Sequence, residues 1–117
     1  MSTPLNPPFK NLSENFAVSP QLAPQDMAAV AQAGYRSVII NRPDGEGGEQ
    51  QPSSKDVMQA AKDVGLTIVY QPVVSGGMTE QDVVRFKQLL AELPAPVLAY
   101  CRSGTRCTNL YQLSQKI

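Results

Sequence analysis

The sequence predicts an α/β domain with a mainly parallel central sheet flanked by helices, and three observations carry that prediction. Short β-branched runs alternate with longer runs of helical period. The helical runs close at Gly or at Pro. The main strand candidates are apolar almost throughout, as strands covered on both faces are, rather than alternating as half-exposed strands do. A length of 117 residues suits a single domain spanning 1–117.

The elements follow in order. Pro4, Pro7 and Pro8 make residues 1–10 an extended arm. "NFAVS" (15–19) is a short strand. "APQDMAAVAQAG" (23–34) is a helix with Met27, Val30 and Ala31 on one face and Gly34 as its stop. "RSVIIN" (36–41) is a strand buried on both faces. "RPDGEGGEQQP" (42–52) is polar, Gly-rich and Pro-flanked, and therefore a loop. "SSKDVMQAAKDVG" (53–65) is a helix, with Ser53 and Asp56 in capping-box spacing and Val57, Ala60, Ala61 and Val64 as its stripe. "LTIVYQPVV" (66–74) is a strand broken by "SGG" (75–77). "TEQDVVRFKQLLAEL" (79–93) is a helix capped by Thr79 and Asp82, with Val83, Phe86, Leu90 and Leu93 inward. "PVLAYC" (96–101) is the last strand, and "TNLYQLSQKI" (108–117) the last helix, with Leu110, Leu113 and Ile117 on one face. In a parallel sheet the loops after the strand C-termini gather on one edge, where ligands bind. That edge should hold 42–52, 75–78 and 101–107.

Composition narrows the chemistry. Ten basic and ten acidic side chains balance, which gives no reason to expect nucleic acid or an acidic membrane as partner. No apolar run is long enough to span a bilayer, and "MSTPLNPPFK" lacks the basic-then-apolar order of a signal peptide, so a cytoplasmic location is expected. The chain has no histidine, which removes Ser-His and Cys-His pairs and leaves a poor ligand set for a metal. No cofactor is expected.

The chemistry-bearing stretch is "CRSGTR", residues 101–106, at the junction of the last strand and the last helix. A tight turn there aims successive N–H groups inward as an anion-binding nest, and the helix adds its positive end. Gly104 allows the left-handed backbone such a turn needs, Ser103 and Thr105 contribute amides and hydroxyls, and Arg102 and Arg106 add positive charge. A cysteine in that setting loses its proton readily. Cys101 is therefore expected to be a thiolate nucleophile, Arg106 to brace the loop, and Arg102 to meet an anionic substrate. Arg42, just past a strand end, either contacts that anion or pins the Gly-rich loop through Asp44 or Glu46. Cys107 is either a resolving thiol for oxidised Cys101 or a small packed residue.

"CRSGTR" resembles the active-site loop of rhodanese-type sulfurtransferases, in which four residues separate Cys from Arg. The loop of tyrosine and dual-specificity phosphatases is one residue longer and usually has His before the Cys, where this chain has Tyr100. More broadly, "VSPQLAPQD", "VIINRPDGE", "QQP", "QPVVSGGMT" and "VLAYCRSGTR", in this order, resemble the phosphatase-like domain of the beta-lactamase-hydrolase-like family. The resemblance implies a tyrosine/dual-specificity phosphatase-like fold carrying a rhodanese-type loop. Members occur alone or fused to a metallo-β-lactamase-like domain that oxidises persulfides, so such a persulfide dioxygenase is the implied protein partner. Many members place Ser where this chain has Cys107, and relatives usually continue beyond the last helix.

Two reactions compete for the site. Phosphate ester hydrolysis through a phosphocysteine needs an acid to protonate the leaving alcohol. An Asp is expected after the strand at 72–74, but Ser75, Gly76 and Gly77 stand there, leaving Asp44 or Glu46 as substitutes. Sulfur transfer through a Cys101 persulfide needs no acid, because sulfite or a thiolate leaves as an anion. The shorter loop also makes a smaller ring of N–H donors. The leading expectation is therefore a rhodanese-like sulfurtransferase. The alternatives are a cysteine-dependent phosphatase and a non-catalytic anion- or partner-binding module. The expected small-molecule partners are sulfur or phosphate anions.

Overall fold

A computed structural model describes residues 9–117; the arm expected at 1–10 lies almost wholly outside the described residues. Five strands form one sheet: β1 (Lys10–Ser13), β2 (Phe16–Ser19), β3 (Ser37–Ile40), β4 (Thr67–Tyr70) and β5 (Val97–Tyr100). A short 3₁₀ turn (Pro24–Asp26) leads into α1 (Met27–Gln32), and α2 (Ser54–Asp63), α3 (Glu80–Glu92) and α4 (Thr105–Ser114) complete the chain. The sheet order is β1-β2-β5-β3-β4, parallel except for the β1–β2 hairpin. This is the mainly parallel, helix-flanked α/β architecture expected, with β5 at its centre.

The pleat sorts each strand's side chains into two cores. Phe16, Val18, Ile39, Val97 and Ala99 face α3 and α4, meeting Val83, Phe86, Leu89 and Leu110. Ala17, Val38, Ile40, Leu98 and Tyr100 face α1 and α2, meeting Met27, Val30, Val57 and Ala61. The alternation continues into the loop. Cys101 joins the α3/α4 core, while Tyr100, in the place of the usual histidine, is buried in the other layer. Phe16 fixes α3 and α4 on the sheet, stacking on Tyr111 at 4.6 Å and meeting Phe86 edge-on at 5.7 Å.

Several sequence expectations shift. β1 starts at the last residue of the expected arm and runs through residues that carry no sequence expectation, because "KNLS" is too polar to register as a strand; its pairing with β2 decides it. β4 stops at Tyr70, and residues 71–74 continue outside the ladder. On α2 the stripe is Val57 and Ala61, with Val64 exposed at the helix end. Ser53 Oγ accepts from the Asp56 N–H, but only that half of the expected capping box forms. On α3 the capping box of Thr79 and Asp82 is complete, and Leu89 takes the fully buried place, with Leu90 and Leu93 at its margin. α4 begins at Thr105, three residues early, since the loop itself winds into the helix. Its inward face is Cys107, Leu110 and Ser114, and Leu113 and Ile117 are exposed. Among the described residues no helix is long and apolar enough to cross a membrane.

Candidate active site

The three loops expected at the C-terminal sheet edge do meet. Residues 101–106, the 74–78 turn and the Gly-rich loop surround a groove made of two adjoining cavities. One, of about 280 Å³, lies over Cys101 and is lined by Val74, Ser75, Met78, Arg102, Thr105 and Asn109 among others. The second, of about 650 Å³, is bounded by Arg42, Glu46 and Gly47 and shares Val74, Ser75, Arg102 and Arg106 with the first.

The loop's conformation follows from its anchors. The Cys101 N–H donates to the Ser19 carbonyl (3.3 Å), and the Gln21 N–H to the Arg102 carbonyl (3.2 Å), so the β2 exit holds the chain as it leaves β5. Gly104 then takes φ +92°, a left-handed conformation that favours glycine, and serves as the N-cap of α4. Its N–H thereby points back and donates to Cys101 Sγ at 3.2 Å. The Ser103 hydroxyl accepts from the Thr105 N–H and donates to the Thr105 hydroxyl, tying off the rim.

These donors act on the thiol. The neighbouring Cys107 thiol contributes most, followed by the N–H groups of Cys107, Gly104 and Ser103; together they outweigh burial and lower Cys101 to about 5. Cys107 moves the other way: burial first, then the adjacent Cys101, push its pKa up. At neutral pH the pair is thus a thiolate beside a thiol. The hydrogen bond that the Cys107 Sγ–H makes by geometry runs to Asn41 Oδ1 at 3.3 Å, so Asn41 competes with Cys101 for that one proton. Cys107 is fully buried in the α3/α4 core, packed in the same cluster as Cys101. The expected result is that iodoacetamide alkylation of Cys101 rises between about pH 4 and 6 and is flat above. An ordinary thiol would rise through about pH 8–9. A midpoint above 7 would remove the thiolate from the site.

Arg106 is almost fully covered and already engaged. Its guanidinium donates to the Val73 carbonyl (3.0 Å), the Asn41 carbonyl (3.5 Å) and Glu46 Oε1 (2.9 Å). One planar fork therefore joins the loop after β3, at Asn41 and Glu46, and the segment after β4, at Val73, to α4. Glu46 also accepts from Arg42 Nε at 3.1 Å, and Arg42 Nη1 donates to Gln21 Oε1 at 3.0 Å. Of the two roles open to Arg42, it thus fills the pinning one, through Glu46.

Neither acidic residue weighed as a proton donor fits that task. The Arg106 guanidinium, foremost, holds the Glu46 carboxyl below its ordinary range; burial opposes it, and Arg42 adds to the lowering. Glu46 therefore stays ionised at neutral pH. Asp44 is not brought to the groove. Its two oxygens accept from the Ser54 N–H and the Ser54 hydroxyl, both at 2.7 Å, which staples the Gly-rich loop to the start of α2. The cavity over Cys101 has no carboxylate in its lining. Sequence reasoning missed Asn41. Fully buried, it donates to the Gln71 carbonyl (3.0 Å), accepts from Cys107, and offers its own carbonyl to Arg106. Its signal was a polar residue ending the β-branched run "RSVII", where an apolar one would continue the core.

Comparison with known proteins agrees with this architecture. The family model described as "Beta-lactamase hydrolase-like protein, phosphatase-like domain" matches residues 8–117. A curated relative, the "Beta-lactamase hydrolase-like protein" of Xylella fastidiosa (strain Temecula1 / ATCC 700964), is 37% identical over 107 residues, covering 92% of this chain. The chain spans only a quarter of that relative's length, 25%. A crystal structure of a candidate phosphatase from Neisseria meningitidis Z2491 is 39% identical with a TM-score of 0.84, covering 91% of this chain and 75% of that one. Kinase associated phosphatase shares the fold at a TM-score of 0.70 and 15% identity, over 100% of this chain and 79% of its own.

Proposed function

Since the chain belongs to the phosphatase-like domain family of beta-lactamase hydrolase-like proteins, we propose that it is a cysteine-dependent phosphatase-like hydrolase with Cys101 as nucleophile. The observation that carries the reading is the Gly104 N–H on Cys101 Sγ at the base of an arginine-lined groove. The family match and the Neisseria relative support phosphate over sulfur, so the order of the two expectations is reversed. In this reading the Cys101 thiolate attacks phosphorus, a P–S bond forms, and the P–O bond to the leaving group breaks. Amides of the loop and the end of α4 receive the phosphoryl oxygens. Water then attacks the phosphocysteine, releasing phosphate and regenerating the thiolate.

The missing proton donor restricts the substrate. A leaving alcohol of high pKa departs poorly without an acid, whereas a phenolate, a carboxylate or a second phosphate departs unaided. The expected result is that hydrolysis across a series from 4-nitrophenyl to phenyl phosphate falls steeply as leaving-group pKa rises. A flat series would demand an acid that the groove lacks.

The same absence favours a second reading, sulfur transfer, in which Cys101 attacks a sulfane sulfur, carries it as a persulfide and yields it to an acceptor thiol or cyanide. No proton donor is needed. Assays with thiosulfate or glutathione persulfide as donor, run beside the aryl phosphates, separate the two. Sulfur transfer without hydrolysis would put the second reading first. Neither activity, with phosphate still protecting Cys101 from alkylation, would leave an anion-binding module.

A further inference from the structure

Three arginines stand around the groove, but two are already committed. Glu46 lies between Arg42 and Arg106, at 3.1 and 2.9 Å, and further donors of the two go to Gln21, Val73 and Asn41. Arg102 differs. Its side chain is exposed and, among the described residues, makes no ion pair and no side-chain hydrogen bond. Its backbone is nevertheless fixed, between Cys101 and the carbonyl that receives the Gln21 N–H. It lines both cavities, so it stands at the boundary between the space over Cys101 Sγ and the space beyond.

The charge pattern along the groove then has a direction. The reacting group sits over Cys101, where the amides and the helix end receive it. Beyond it, Glu46 offsets one of the two charges of Arg42 and Arg106 and is itself occupied by both. The far wall of the inner cavity, Val74, Ser75, Gly76 and Met78, carries no charge. The guanidinium of the groove with no protein partner among the described residues is therefore that of Arg102, at the boundary of the two cavities. A planar fork with free donors pairs with a carboxylate or phosphate.

We propose that the substrate carries a second anionic group, a carboxylate or phosphate on a short arm, and that Arg102 is the residue that selects it. The proposal deepens the reading of Cys101 as the centre of an anion cradle and rests on it. It narrows the substrate class from phosphate monoesters or sulfane donors in general to those with two separated anions.

The test uses phosphonates, which cannot be turned over, so its result stands whether or not aryl phosphates are hydrolysed. Iodoacetamide labelling of Cys101, read by mass spectrometry, is measured against rising methylphosphonate, phosphonoacetate and 3-phosphonopropionate. The wild type is expected to be protected about tenfold more tightly by the better carboxyl-bearing phosphonate than by methylphosphonate. That ratio should collapse towards one in Arg102→Ala and largely return in Arg102→Lys. A ratio near one in the wild type, a ratio that survives Arg102→Ala, or no protection by any phosphonate would each overturn the proposal. Protection with the expected ratio but no phosphate hydrolysis would instead count against the phosphatase reading alone.

Discussion

Serine at position 101 is expected to reduce turnover of 4-nitrophenyl phosphate by at least about 10⁴-fold while leaving the protein folded. The loop is built to stabilise a charged sulfur. The Gly104 N–H reaches Sγ, and the Cys107 thiol and further loop amides bring Cys101 to about 5. A serine hydroxyl starts many pK units higher, and the same donors cannot make it an alkoxide at neutral pH. No histidine exists anywhere in the chain to act as a base for it. Serine is nearly isosteric with cysteine, so the core that receives residue 101 should close around it. The measurement is kcat/KM beside a thermal melt. Substantial activity in a folded Cys101→Ser protein would take Cys101 out of the mechanism in both the phosphate and the sulfur readings.

Lysine at position 106 is expected to cost about 10²–10³-fold in kcat/KM, although it keeps the charge. The effect comes from geometry. Arg106 donates at once to Val73, Asn41 and Glu46, three acceptors on the two connections that follow β4 and β3. A single ammonium cannot span those acceptors, so at least one of them loses its donor and the tie between α4 and the two connections is weakened. Glu46 would keep Arg42 but lose the stronger of its two partners. A drop in melting temperature should accompany the loss of activity. Retention of kcat/KM within a few-fold in Arg106→Lys would show that charge alone suffices and that the three-way brace is dispensable.

The Cys101 thiol and the turn that cradles it were legible because they depend on near neighbours in sequence. A cysteine at the end of an apolar strand, a glycine three residues on and a helix after it already imply inward N–H groups, and the φ of Gly104 is the local requirement of that turn. The partners of the two acidic residues were not legible. Asp44 and Glu46 lie two residues apart on one polar loop, yet Asp44 staples Ser54 while Glu46 joins Arg42 to Arg106. Nothing in their local sequence separates them, because the difference arises from α2 and α4 packing on opposite faces of the sheet.

The same division holds for the fold. Hydrophobic period and the Gly and Pro stops determined the order of elements, the parallel sheet and the edge where the loops gather, since these follow from local chain geometry. Tertiary packing alone decided the rest. It turned the polar segment "KNLS" into β1 by pairing it with β2, put Leu89 rather than Leu90 in the core, and started α4 inside the loop. It also made Asn41 the buried link between Gln71, Cys107 and Arg106. Hydrogen bonds between residues thirty to sixty-six positions apart leave no periodic trace along the chain; they exist only once the sheet brings its strand ends together.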